Sequence, residues 1–343
     1  MKEVILIPCY EPDEKIIELI KTINRERFDI VIVDDGSGGN YQNIFNKIKD
    51  KVHLISYTPN MGKGYALKTG IKYIKDKYKK DYFIITMDSD GQHKIGDAIK
   101  LLDYTKNNLK TYTLGMRKRN SNTPIRSKLG NGITKGIFRL VTGINIYDTQ
   151  TGLRCFSDKL VNFLLKVPGN RFEYEMNALL LSSKNGIRMH EIEIETIYID
   201  KNKGSRFNAF KDSYLIYKDI LKFSLSSIIS FLIDYVLFII FTIFIKSISI
   251  CNIIARIMSS SINYTMNRKL VFRSNNSLYK SIFSYIILAI CVLILNTLLL
   301  NIFIYKLMIN KFIAKILVEI ILFVINYIIQ QRFISKKKID IDE

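Results

Sequence analysis

The chain is poor in several residue types, and each shortage removes a class of explanation. Its 343 residues include no tryptophan, three histidines, five prolines and four cysteines. The cysteines, Cys9, Cys155, Cys251 and Cys291, are scattered without paired spacing. That argues against a zinc site or a disulfide scaffold and fits a reducing compartment. No linker rich in Pro or Gly interrupts the chain, and no internal repeat stands out. No signal peptide is expected, because Val4 to Ile7 is too short for an apolar h-region and leads into Pro8. Acids are scarce as well: 31 Asp and Glu face 51 Lys and Arg, a formal charge of +20. Residues 223–343 hold 13 basic and 5 acidic side chains, so the chain is basic on both sides of that boundary. A basic chain with so apolar a C-terminal part points to anionic lipid headgroups and not to nucleic acid.

What is present is organised around Ile84-Ile85-Thr86-Met87-Asp88-Ser89-Asp90-Gly91-Gln92-His93. The apolar run Tyr82 to Met87 predicts a buried strand of a parallel sheet. It ends in two aspartates one residue apart, and ligands of open α/β sheets bind beyond the carboxyl ends of strands. Asp88 and Asp90 are hard oxygen donors suited to Mg²⁺ or Mn²⁺ shared with a substrate's phosphates, and Gln92 could add a third oxygen. Asp-x-Asp alone is a weak pattern, and it recurs in the charged tail at Asp340-Ile341-Asp342. Its position at a strand end gives it weight.

Before it, strands are predicted at Val4 to Ile7, Ile30 to Val33 and Val52 to Ser56. Helical spacing runs from Pro12 to about Asn24, and Asn60-Met61-Gly62-Lys63-Gly64 opens a helix to about Lys77. The order β-α-β-α-β-α-β argues for a doubly wound, mainly parallel sheet. A glycine-rich helix start with a lysine is a natural anion site, although its spacing is not that of a Walker A loop. Asp34-Asp35-Gly36-Ser37-Gly38 offers backbone N–H groups and carboxylates to a base or ribose, and is equally an ordinary turn.

Beyond it, Thr113 to Arg117 reads as a short strand ending in arginine, followed by Arg119, Arg126 and Lys128. A helix is expected over Ile125 to Val141 and another from Arg171 to about Ser183. Asp148 to Arg154 forms a polar turn leading to a strand, and Ile192 to Tyr198 is the last predicted strand. Taken singly, each arginine suits a solvated surface. Gathered on loops at one sheet end, they would make a phosphate site.

Residues 208–222 mix aromatics with lysines, the pattern of a helix lying on a membrane surface. Four apolar segments follow, at about 223–245, 249–267, 282–305 and 312–331, each near the roughly 20 residues that span a bilayer. Lys and Arg are more numerous on the side holding both ends of this region; Lys246, Lys306 and Lys311 are assigned to the opposite side, with Lys315 left open between that side and the last segment. That bias predicts a multi-pass cell-membrane protein with residues 1–207 in the cytoplasm. Asp234, Arg256 and Glu319 fall inside the expected spans, where an unpartnered charge is costly. At least one acid is therefore expected to pack against Arg256.

These residues resemble known families. Ile7 to Glu11, Val33 to Ser37, Asn60 to Gly64, Met87 to His93, Asp148 to Arg154 and Gly204-Ser205-Arg206 occur in the order of the inverting GT-A glycosyltransferases of family 2. They look most like the dolichol- or polyprenyl-phosphate mannose or glucose synthase branch, over about residues 1–220. Cys9-Tyr10-Glu11-Pro12 departs from that family's usual Tyr-Asn-Glu. Phe231 to Val236 and Asn263 to Phe272 resemble a GtrA-type four-helix membrane domain. The resemblance implies a GT-A domain at 1–207, an interfacial helix at 208–222, a membrane domain at 223–335 and a charged tail at 336–343. It implies that Pro8, Tyr10, Glu11, Asp34 or Asp35, Lys63, Asp88 and Ser89 hold the donor nucleotide. It further implies that Asp88, Asp90 and Gln92 hold the metal, with Asp90, Arg117, Arg126 and Ser127 at the chemistry. Arg117, Arg126, Arg154 and Arg206 would then meet the lipid phosphate or the diphosphate.

The implied reaction moves a hexose from a GDP- or UDP-linked sugar to polyprenyl phosphate. A phosphomonoester with a second pKa near 6 is mostly dianionic at neutral pH, so the reaction needs positioning cations more than a base. The paucity of histidine is then no obstacle. Two rivals differ in class: a transporter of lipid-linked sugar with a vestigial transferase domain, and a processive polysaccharide synthase. Intact Asp88, Asp90 and Arg117 argue against the first. The second carries a Gln-x-x-Arg-Trp motif, which a chain without tryptophan lacks. The sequence is compatible with a homo-oligomer.

Overall fold

A computed structural model gives the structure of the chain. It describes residues 1–117, 142–195, 211–266 and 278–333, with 132, 135, 136, 138 and 139 between them; within the C-terminal helices the side chains of 211–224, 226–227, 264, 278–286, 288–289, 324 and 326–333 are not described. The expectations for Arg126, Ser127, Arg206, most of the helix at 125–141 and the tail at 336–343 lie outside the described residues. The chain divides into two units, Met1–Ile216 and Tyr217–Lys336.

The first unit is built on a seven-stranded sheet. Its strands are β1 (Lys2–Cys9), β2 (Phe28–Asp35), β3 (His53–Tyr57), β4 (Tyr82–Thr86), β5 (Thr111–Arg117), β6 (Arg154–Ser157) and β7 (Arg188–Ile194). The order is β3-β2-β1-β4-β6-β5-β7. β1 to β4 are mutually parallel where they pair, as continuous apolar runs predict. β6 is the exception: it runs antiparallel to both β4 and β5, while β5 and β7 are parallel. The expected start of β7 at Ile192 is corrected to Arg188. That strand carries half-buried polar residues on an edge, so apolar periodicity located only its last part.

The helices of this unit are α1 (Lys15–Thr22), α2 (Gln42–Asn46), α3 (Lys63–Tyr78), α4 (Ile95–Lys106), α5 (Val161–Lys166) and α6 (Glu173–Lys184). They cover both faces of the sheet. One core layer gathers Leu6, Val31, Ile84 and Leu114 against Ala66, Ile71 and Leu179. The other gathers Ile5, Ile7, Ile32 and Ile85 against Ile16, Ile20, Leu101 and Leu102. Alternate residues of β1 serve opposite layers, as the period of two requires. Gly70 lets α3 press on β1: a Cβ there would sit 2.2 Å from a Leu6 methyl.

The second unit is helical. α7 (Lys211–Phe244), α8 (Ile248–Met266), α9 (Leu278–Asn301) and α10 (Lys311–Phe333) follow the four expected segments closely. A π-type turn, Ile302–Lys306, extends α9. α7 begins at Lys211, so the segment expected to lie on the membrane surface and the first expected span form one continuous helix. Among the described residues, no helix is long and apolar enough to cross a membrane.

The three expected buried charges do meet, together with a fourth. Arg256 donates to Glu319 Oε2 through Nη1 and Nη2, each at 3.1 Å. Arg256 Nη1 is also 3.7 Å from Asp234 Oδ2. Lys315, left open between the opposite side and the last expected segment, is fully buried, 2.6 Å from Asp234 Oδ2 and 3.4 Å from Glu319 Oε1. Its placement follows from burial: two acids inside the bundle need two cations. Asn252, Ser259 and Asn296 complete the cluster, donating to or accepting from Lys315, Asp234 and Glu319.

Candidate active site

The carboxyl ends of β1, β2 and β4 lie side by side. Pro8 is level with Val33, Cys9 with Asp34, and Leu6 with Thr86. The loop after β1 is tied to the loop after β2, because the Glu11 N–H donates to Ser37 Oγ at 2.8 Å. Glu11 stands in the left-handed region at φ 46°, an unusual conformation for a glutamate. Pro8 is buried, while Tyr10 and Glu11 are partly exposed. Burial pushes the Cys9 thiol up to about 12, which removes it as a nucleophile at neutral pH.

The two aspartates ending β2 have different tasks. Asp34 Oδ1 accepts from the Ser37 N–H at 2.9 Å and shapes the turn. Asp35 is buried and takes donors from Tyr57 Oη at 2.9 Å, Asn60 Nδ2 at 3.0 Å, Met61 N at 2.8 Å and Gly62 N at 2.8 Å. Its carboxylate is therefore used up in fixing the loop before α3. The expectation that Asp35 meets a base or ribose is corrected on that ground, and Asp34 is left as the candidate.

That loop presents Lys63 at the start of α3. Gly62 has φ 102°, and a Cβ there would lie 2.5 Å from the Asn170 carbonyl oxygen. A Cβ on Gly64 would lie 2.4 Å from Tyr174 Cβ. Both glycines are needed for α3 to start against the start of α6. This close approach brings Lys63 between two acids: Nζ lies 2.8 Å from Asp88 Oδ1 and 3.0 Å from Glu175 Oε2.

Asp88 is framed on three sides. His93 Nε2 lies 3.4 Å from its Oδ2. Gly152 backs onto it so closely that a Cβ would stand 2.2 Å from Oδ2. Thr86 Oγ1 donates to the Gly152 carbonyl at 2.8 Å and fixes that approach. Burial works against ionising Asp88, but Lys63 and His93 outweigh it and hold the carboxyl well below the usual range. Asp90 is raised instead, first by burial and then by the charge of Asp88. Ser89 and Gln92 are partly exposed on the same turn, and the Gln92 N–H donates to Asp90 Oδ1 at 3.1 Å.

This donor set suits a divalent cation. Two carboxylates and an amide oxygen are hard ligands. The charge of Asp88, which adds to burial in raising Asp90, is what a bound cation would offset. Among the described residues no group of three or more His, Cys, Asp and Glu side chains converges as a metal cage. A cation here would be shared with ligand phosphates, the arrangement typical of Mg²⁺.

At the end of β5, Arg117 meets Asp148. Nε donates to Oδ2 at 2.6 Å and Nη2 to Oδ1 at 3.1 Å, a two-pronged fork. Asp148 is buried, and its N–H and that of Tyr147 both donate to Glu191. In the sequence Asp148 belongs to a polar turn and to one of the family's motifs, with no role of its own. Its role was invisible in sequence because 31 positions separate it from Arg117.

Arg154 is placed otherwise than expected. It is 2% exposed, with Nε donating to the Thr151 carbonyl at 3.0 Å and Nη1 to Tyr112 Oη and the Glu175 carbonyl, both at 3.1 Å. Such a side chain is a core strut, and the expected phosphate contact is corrected accordingly.

Residues 4–163 match the glycosyl transferase family 2 model, and residues 222–335 match the GtrA/DPMS transmembrane domain. The UDP-N-acetylglucosamine–dolichyl-phosphate N-acetylglucosaminyltransferase of Methanococcus voltae is 29% identical over 236 residues, which cover 62% of this chain and 93% of that protein. The dolichyl-phosphate beta-glucosyltransferase of Saccharomyces cerevisiae is 30% identical over 251 residues, 63% of this chain and 72% of that one. Among solved structures, glucosyl-3-phosphoglycerate synthase from Mycobacterium tuberculosis with uridine diphosphate superposes with a TM-score of 0.47 at 14% identity, over 64% of this chain and 78% of that one.

Proposed function

Because the chain belongs to glycosyltransferase family 2 and carries a GtrA/DPMS transmembrane domain, we propose that it moves a hexose from a nucleotide sugar to polyprenyl phosphate. The donor is of the GDP-mannose or UDP-glucose type, and the reaction runs with inversion at the cytoplasmic leaflet. The GtrA/DPMS match makes the protein a membrane protein. In the proposed arrangement the region matching the GtrA/DPMS domain, residues 222–335, is held in the membrane and residues 1–207 lie in the cytoplasm. The Methanococcus and Saccharomyces relatives, both dolichyl-phosphate transferases, support the acceptor class.

One observation carries the reading. A pair of carboxylates with a half-buried lysine stands at the end of β4, and a carboxylate-held arginine stands at the end of β5. The first group suits a diphosphate with its cation, the second a phosphomonoester. A lipid-phosphate oxygen attacks the anomeric carbon, the bond from that carbon to the β-phosphate oxygen breaks, and the nucleoside diphosphate leaves with the electron pair. Asp88, Asp90 and Gln92 would hold Mg²⁺ or Mn²⁺, which would supply positive charge to the diphosphate. Lys63 adds a fixed positive charge beside it. Arg117, oriented by Asp148, holds the acceptor phosphate dianion, so no proton has to be removed.

A panel of labelled nucleotide sugars, supplied with polyprenyl phosphate to the full chain in detergent, tests the reading. One donor should label a product extractable into organic solvent. Labelling of water or of an aqueous polymer with every donor would refute it.

A further inference from the structure

Under the end of β4, ionised side chains alternate in sign from the core to the site. Arg154 is buried in the core, and its Nη2 has no hydrogen-bond partner among the described residues. That atom lies 3.9 Å from Glu175 Oε1. Glu175 Oε2 lies 3.0 Å from Lys63 Nζ, and Lys63 Nζ lies 2.8 Å from Asp88 Oδ1. The side chains of Glu175 and Lys63 are 12% and 16% exposed, and that of Asp88 is 31% exposed. The series thus opens toward solvent at Asp88.

Nothing in the reaction described above uses Glu175. An acid beside an anion site is, on electrostatic grounds alone, unfavourable to the anion. Its geometry gives it another use. A free lysine side chain has many rotamers, and that freedom is lost whenever its ammonium is fixed. Glu175, set in the first turn of α6 and steadied by Arg154, fixes it beforehand. An ammonium has three N–H donors, and Asp88 and Glu175 take two. Lys63 also opens α3, a helix of 16 residues whose N-terminal dipole favours anions.

We propose that Glu175 is a positioning residue: through Lys63 it holds a cation at the end of β4 for the diphosphate of the nucleotide sugar. When the diphosphate binds, it takes the donor left over, and Glu175 keeps the ammonium from swinging away. This inference rests on the nucleotide-sugar reading of the site.

Titration calorimetry of the full chain in detergent, with Mg²⁺ present and UDP and GDP as probes, tests it. The charge effect and the positioning effect have opposite signs. Glu175→Gln should weaken binding of whichever nucleotide the wild type binds on the order of tenfold, the scale of one charge-assisted hydrogen bond. Lys63→Met should weaken it to a similar degree. Glu175→Gln added to Lys63→Met should cost nothing further, because the residue through which it acts is gone. In turnover, the donor KM of Glu175→Gln should rise more than kcat falls. Glu175→Asp, which keeps the charge on a shorter arm, should bind with intermediate affinity, and it serves in place of Glu175→Gln if that variant folds poorly. Unchanged or tightened nucleotide binding in Glu175→Gln, or additive losses in the double variant, would overturn the inference while leaving the donor reading intact. A wild type that binds neither nucleotide would overturn both.

Discussion

Asp234→Asn should destabilise the helical unit, and the structure sets the scale. Asp234 is fully buried, 2.6 Å from an equally buried Lys315 and 3.7 Å from Arg256 Nη1. Ser259 Oγ donates to its other oxygen at 3.0 Å. The four charges Asp234, Arg256, Lys315 and Glu319 sum to zero, so the amide leaves a buried excess of one positive charge. Removing one partner of a buried pair costs about 3–5 kcal/mol. At about 2 °C per kcal/mol for a chain of this size, the melting temperature in detergent should fall about 6–10 °C. Far-UV circular dichroism is the suitable readout, since a chain without tryptophan offers no indole fluorescence. The double variant Asp234→Leu/Lys315→Met removes the pair together and keeps Arg256 matched with Glu319. It should recover most of the loss, because replacing a whole buried pair by apolar residues is often neutral. An unchanged melting temperature in Asp234→Asn, or a double variant that loses the sum of its two single changes, would refute the reasoning.

Further outcomes concern the transferase unit. Asp90→Asn should lower kcat on the order of 10²-fold or more while the melting temperature holds, because a partly exposed amide replaces a charged donor. Excess EDTA should abolish turnover of the wild type, and full activity in either experiment would remove the metal assignment. Arg117→Lys keeps the charge but not the fork onto Asp148, so the acceptor KM should rise while nucleotide affinity stays constant; the reverse pattern would contradict its placement at the acceptor. Gly152→Ala would put a Cβ 2.2 Å from Asp88 Oδ2, displacing that carboxylate and lowering kcat/KM on the order of 10²-fold. Near-normal kcat/KM in that variant would mean that Asp88 need not stay where it stands.

The parts of the structure that the sequence made legible are those set by local pattern. Apolar runs located β1, β2 and β4 because those strands are buried on both faces, and the helical segments at 249–267 and 312–331 match α8 and α10 within a residue or two. The antiparallel insertion of β6 was hidden: four residues carry no direction, and its pairing with β4 joins positions about seventy residues apart. Polar side chains were placed from local sequence and resemblance, which did not reveal the burial of Arg154, Asp35 or Lys315. Each is buried because distant partners satisfy it, namely Tyr112 and Glu175, the Asn60 to Gly62 loop, and Asp234 with Asn252. Asp88 and Asp90 were legible from their place at a strand end. Asp148 and Glu175, which orient Arg117 and Lys63, were not, because an orienting role exists only in three dimensions.

The central claim is that sugar passes from a nucleotide to a lipid phosphate. The most direct measurement incubates the full chain in liposomes with a labelled nucleotide sugar, with and without polyprenyl phosphate, and counts both products. The account predicts one nucleoside diphosphate released for each sugar recovered in the organic phase, and neither product when polyprenyl phosphate is omitted. Nucleoside diphosphate released at the same rate without the lipid, or sugar recovered only in the aqueous phase, would contradict it.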